Sequence, residues 1–225
     1  MNAPKILILG TDAAGKNFVG QLLFKHLLTH DVDCAFRERR LSAADNRGIE
    51  KDKSTPGHLA EWAFVSCYPL LKPLMPTVVD ALLRLDLARS KAGDRAEIIV
   101  SHTALRLAAF DLGHQLESVA DIRVPASTAT LLQRLKQQLA GDVVVLDIAH
   151  ATRLKRVNAR GESSDPFDRY LAARPELSER IEACMVHIAC EYLEATLIVN
   201  DDLSEKELLT AVAKSSAAFA GISPS

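Results

Sequence analysis

The chain has 225 residues, 48% of them hydrophobic and 5% aromatic, which suits one α/β domain with a sizeable core. A net charge of −2 argues against general binding to a nucleic-acid polymer, and no apolar run approaches the ~20 residues that cross a bilayer. Cys34, Cys67, Cys184 and Cys190 form neither a CxxC pair nor a zinc spacing, so with no visible signal peptide they predict reduced, mostly buried thiols in a soluble, cytoplasmic protein.

Short β-type runs alternate with longer helical patterns, the rhythm of a parallel sheet covered on both faces. The first strand is expected at residues 5–9. It leads into Gly10-Thr11-Asp12-Ala13-Ala14-Gly15-Lys16-Asn17 and then an amphipathic helix that begins at Phe18. Four residues separate the two glycines and a lysine follows the second, which is a Walker A phosphate loop except that Asn17 replaces Ser or Thr. Such a loop needs glycine so that successive N–H groups can turn inward around phosphate oxygens. The following helix adds its positive end, and Lys16 adds a mobile charge. Residues 10–18 are therefore candidates to hold a nucleoside triphosphate. Asn17 is a candidate to meet Mg²⁺ through its amide oxygen, a bulkier and displaced ligand compared with the usual hydroxyl.

A second strand fits residues 33–36 and ends at Arg37-Glu38-Arg39-Arg40, followed by a polar loop over 42–57. Residues 58–91 read as helix interrupted by Pro69, Pro73 and Pro76, closed by Ala92-Gly93-Asp94. Strands at 97–100 and 143–146 end at Ser101-His102 and at Asp147. Helices over 104–116 and 127–139 separate them, the second capped by Ser127. A basic helix at 153–160 stops at Gly161 before a polar loop. Helix resumes from Phe167 to about Leu193 with a break at Pro175, then a fifth strand at 196–199 ends at Asn200. Ser204 with Glu207 forms a capping box for the last helix. The expected fold is a three-layer α/β/α sandwich with a five-stranded parallel sheet. It forms a single domain over residues 1–221, with a lid at about 153–168 and a loose tail at 222–225. Ligands belong at the carboxyl ends of the strands, where Gly10, Arg37, Ser101, Asp147 and Asn200 fall.

Several residues there have the chemistry of phosphoryl transfer. Arg37 can fork onto an acceptor phosphate, or it is a solvated loop charge. Arg156 and Arg160 are four apart and share a helical face with a glycine hinge beyond, which suits a lid that neutralises transferred charge and excludes water. Asp12 can accept a proton, orient a hydroxyl or hold a cation, and it is equally a turn former. Asp147 is the available carboxylate for a metal, or a helix cap. Trp62, Phe64 and Tyr68 can stack on a base or simply pack. No histidine pair has zinc-ligand spacing.

With these residues in order along nearly the whole chain, the sequence resembles the thymidylate kinase branch of the P-loop nucleoside and nucleotide kinases. Gly10 to Asn17 is similar to that family's phosphate loop, including an acidic residue at Asp12. Phe36-Arg37-Glu38 resembles its strand-two motif, whose arginine contacts the monophosphate acceptor, and Ser101-His102 occupies the place of its Asp-Arg motif. Asp147 with Arg153 to Gly161 and Asp165 resembles its fourth strand and lid. The resemblance implies ATP-dependent phosphorylation of a small acceptor, with Ser101 and His102 on the substrate side and commonly a homodimer. The chain departs from the pattern at Asn17, at Arg39 in place of proline, and at Ser101-His102. These departures motivate a second expectation, a nucleotide-binding module without turnover. A third, an NTPase switch, lacks an NKxD-type guanine motif.

Overall fold

A computed structural model describes residues 5–11, 13–37, 55–89, 96–139, 141–160 and 166–216. Asp12, Glu38, Arg39, the loop at 42–54, the turn at 92–94, residues 161–165 and the tail beyond 216 lie outside the described residues.

Five strands, β1 (Lys5–Gly10), β2 (Cys34–Arg37), β3 (Ala96–Val100), β4 (Asp142–Asp147) and β5 (Thr196–Val199), form one sheet in the order β2-β3-β1-β4-β5. Every pairing is parallel. The central strands are apolar on consecutive residues because both faces are covered. Ile6, Ile8, Ile98, Val100, Val144 and Leu146 pack on α1 (Lys16–Thr29) and α9 (Glu205–Lys214). Leu7, Leu9, Ile99, Val143 and Val145 face the larger layer, which includes α3 (Met75–Arg89), α4 (Thr103–Gln115), α5 (Ala126–Leu139) and α8 (Pro175–Leu193). Gly20 lets α1 lie close on the sheet, since a Cβ there would sit 2.4 Å from Val100 Cγ2. The connection from β1 leaves through α1 on one face, and that from neighbouring β3 leaves through α4 on the other. The two strands therefore open a crevice at their carboxyl ends.

The remaining helices are α2 (Thr55–Leu71), α6 (His150–Arg160) and α7 (Pro166–Ala172). Residues 55–57, expected as loop, begin α2. Pro69 sits inside α2 without ending it, and the break comes at the 3₁₀ turn Lys72–Leu74, which contains Pro73. Pro76 is the second residue of α3, where a missing N–H costs nothing. Ser127 lies in the first turn of α5, which starts at Ala126, so it does not cap that helix as expected. The capping box is present, with Ser204 N–H donating to Glu207 Oε2 at 2.9 Å and Glu207 N–H donating to Ser204 Oγ at 3.4 Å. The Ser204 hydroxyl, which donates to Glu207 Oε2 at 2.6 Å, and then the Ser204 N–H hold the Glu207 carboxyl below its ordinary value. Among the described residues no helix is long and apolar enough to cross a membrane.

Candidate functional site

The loop after β1 sits in the crevice. Gly10 has φ +147° and Gly15 has φ +93°, conformations that L side chains rarely adopt. A Cβ on Gly10 would stand 2.6 Å from the Leu146 carbonyl oxygen. Gly15 caps α1 with no side-chain cap hydrogen bond and no acidic residue in the first turn, so the helix turns the positive end of its dipole toward the loop. Lys16 is buried, and its Nζ donates to the Thr11 carbonyl at 2.8 Å. Asn17 and Phe18 are exposed at the head of the helix. An open cleft of roughly 400 Å³ adjoins the loop, walled by Ala13, Gly15, Phe18, Arg156, Arg160 and Leu203.

The basic run on α6 differs from a solvated lid face. Arg153 is 2% exposed and donates to Thr11 Oγ1 at 2.8 Å, while its guanidinium also meets Ser178 and the Glu182 carboxylate on α8. Thr11 in turn donates to Glu182 Oε1 at 3.0 Å. Arg156 donates through Nη1 to the Ala13 carbonyl (3.1 Å) and through Nη2 to the Asn200 carbonyl (2.8 Å). Asn200 Nδ2 donates to the Ala14 carbonyl at 2.8 Å. Arg160, one turn further along, is exposed and lines the cleft. Glu182 and Ser178 escaped the sequence reading. Their signal is visible afterwards as two polar residues four apart on a helix face otherwise made of Leu177, Ile181, Cys184, Met185 and Ile188.

Two of the acceptor-side candidates, Arg37 and His102, are already engaged. Arg37 Nη2 bonds Glu97 Oε1 at 3.0 Å, and Glu97 also pairs with Lys5 at 3.4 Å. Arg37 stands beside Ile99 in register, so its guanidinium leans back toward the amino end of β3. His102, expected to meet substrate, is instead sealed at 2% exposure against Asp86, because α3 brings that carboxylate to the head of α4. Ser101 is non-glycine at φ +75°, with its N–H on the Ile8 carbonyl. Its Oγ is buried and meets no hydrogen-bond partner among the described residues. Asp147 lines a separate cleft of roughly 560 Å³ with His150, Glu179, Glu182, His187 and Cys190. Burial pushes its carboxyl up, partly offset by the Ile148 amide and Arg153. Among the described residues no group of three or more His, Cys, Asp or Glu could hold a metal.

Phe64 and Tyr68 pack with Phe110 and His114, and Phe110 also meets Phe167 and Tyr170, in a chamber between α2, α4 and α7. Tyr68 is 3% exposed and donates to Asp111 Oδ1 at 2.8 Å, so it is core and not an open stacking platform. The side chain of Trp62 lies outside the described residues. Burial lowers His114 below its ordinary value, aided by Lys72 and Arg180. The neutral ring donates from Nδ1 to the Phe110 carbonyl (2.9 Å) and accepts at Nε2 from the Tyr170 hydroxyl (3.1 Å). Unfolding frees this histidine to protonate, so the stability it provides is present above the unfolded pKa near 6.5 and is lost as pH falls below it. Thermal midpoints should therefore fall more steeply below pH 6.5 for the native chain than for His114→Phe. Parallel curves for the two would contradict this.

The fold is an α/β sandwich on an all-parallel five-stranded sheet, with a glycine loop leading from β1 into α1 at its switch point. Scans of protein-family models and of curated proteins found no match. Among solved structures, one described as deoxyadenosine kinase from M. mycoides with bound dATP is similar at 14% identity and a TM-score of 0.48. That similarity covers 92% of this chain and 96% of the other.

Proposed function

We propose that this chain binds ATP in the loop at residues 10–18 and transfers its terminal phosphoryl group to a small acceptor, a nucleotide or nucleoside. The observation that carries this reading is the loop itself: Gly10 and Gly15 at positive φ, a helix that opens on glycine and a buried lysine, all at the switch point of the sheet. The β- and γ-phosphates would lie against the amides that open α1, with the nucleoside in the cleft between Phe18, Leu203 and Arg160. An acceptor oxygen attacks the γ-phosphorus in line as the bond to the β–γ bridging oxygen breaks, and ADP leaves. Any proton on the attacking oxygen passes to Asp12 or to solvent. Lys16 and Arg160 would neutralise charge on the transferred group, and Arg37 would meet the acceptor after releasing Glu97. Mg²⁺ supplies charge neutralisation on the phosphates, and Asn17 beside Lys16 is our candidate to hold it there. Asp147, the other candidate, opens onto the cleft beside α8. We also propose a homodimer through the exposed apolar stripe Leu70, Leu74, Val78 and Leu85.

A second reading, nucleotide binding without turnover, is favoured by the acceptor side. His102 is sealed on Asp86, Arg37 is tied to Glu97, and aromatic side chains fill the chamber beside α4. A screen with γ-labelled ATP, with and without Mg²⁺, over nucleoside monophosphates, nucleosides and unrelated alcohols separates the two. Transfer of label to a nucleoside or nucleotide is the expected result. Saturable, Mg²⁺-indifferent binding with no labelled product would establish the second reading in its place.

A further inference from the structure

We infer that Arg156 and Asn200 form a latch that presets the phosphate loop, acting on bound phosphate through the peptide groups they hold. The inference rests on the proposed seat of the nucleoside triphosphate. Arg156 comes from α6 and Asn200 from the end of β5. Together they occupy the carbonyl oxygens of Ala13 and Ala14, and the second arginine nitrogen ties the Asn200 carbonyl into the same unit. In a planar trans peptide the C=O and the following N–H point in opposite directions. Holding the Ala14 carbonyl therefore turns the Gly15 N–H toward the opposite side of the loop, where the helix amides open. The Ala14 N–H closes a turn onto the Thr11 carbonyl at 3.3 Å, and Arg156 steadies that turn at Ala13.

Gly15 makes the latch possible. A Cβ there would stand 2.9 Å from Asn200 Nδ2 and 4.0 Å from Arg156 Nη1, so any side chain would force the amide off the loop. Arg156 and Asn200 border the same cleft as Arg160, so what sets them apart is their hydrogen bonding: both terminal nitrogens of Arg156 are committed to the Ala13 and Asn200 carbonyls, and the Asn200 amide to the Ala14 carbonyl. Arg156 and Asn200 are positioning residues.

The test is equilibrium binding of inorganic tripolyphosphate and of ATP to the full chain and to Asn200→Ala, Arg156→Lys and Arg156→Ala. Tripolyphosphate has no base or ribose, so a lost nucleoside contact cannot account for weaker binding. Asn200→Ala should weaken both ligands by similar factors of ten-fold or more, with the thermal midpoint of the unliganded chain close to that of the original. Arg156→Lys should lose most of what Arg156→Ala loses, because one ammonium cannot reproduce the fork over two carbonyls. In turnover the loss should fall on KM for ATP more than on kcat. Should Asn200→Ala not fold, Asn200→Asp keeps the size and sets an acceptor against the Ala14 carbonyl, and the same loss is expected. Weaker ATP binding with tripolyphosphate unchanged would overturn the latch, and so would unchanged binding of both. An unsubstituted chain that binds neither ligand would overturn the nucleotide reading itself, a result seen before any substitution is made.

Discussion

Lys16→Ala is expected to lower kcat/KM for phosphoryl transfer by about 10²-fold or more, the scale of losing one preorganised charge donor. In the unliganded chain the ammonium is 7% exposed and rests on the Thr11 carbonyl at 2.8 Å. The hydrogen bond to the Thr11 carbonyl holds the buried ammonium close to the loop. Little reorganisation is then needed at the moment of reaction. Lys16→Met keeps the aliphatic stem and its packing, so it separates charge from shape. Both substitutions should abolish most transfer while leaving the fold intact, measured by labelled-product formation and by thermal melting. Turnover retained in Lys16→Met would remove Lys16 from the mechanism.

Glu182→Ala should be the most destabilising single change near the site. Arg153 is 2% exposed and meets the Glu182 carboxylate, Thr11 and Ser178, and its charge also reaches Asp147. Removing one member of a buried pair strands the other charge, at a cost of about 3–5 kcal/mol. That is a large share of the roughly 5–15 kcal/mol by which domains are stable. For a chain of this length it corresponds to a fall in Tm of about 6–20 °C. Arg153→Met with Glu182→Leu replaces the pair by apolar groups of similar size and should recover most of the stability. The double variant still leaves the Thr11 hydroxyl without either partner, so nucleotide affinity should not recover with the melting temperature. A fall of under 2 °C for Glu182→Ala would show the pair to be energetically idle.

Most of the architecture was legible in the sequence, because strands buried on both faces read as plain apolar runs. The glycine loop sits between β1 and α1, and the edge strand β5 also falls at the expected residues although only Ile198 of its four is buried. Prolines misled where position outweighs identity. Pro69 is accommodated within α2, and the break falls at Lys72–Leu74. Site residues were legible where the backbone alone fixes them, as at Gly10 and Gly15. Side-chain direction was not. Spacing places Arg153 and Arg156 on one helix, but the partners that turn them toward the loop come from α8 and from the end of β5, far away in sequence. For the same reason Asp86 was invisible as the partner of His102: it sits on α3, in a segment that read only as helix.

The most direct test of the central claim is a titration of ATP into the full ¹⁵N-labelled chain, followed at the backbone amides of Gly15, Lys16 and Asn17. Saturable binding that moves these three signals, and that inorganic tripolyphosphate reproduces, is the predicted result. Signals that stay in place at saturating ATP, or no binding of either ligand, would contradict it.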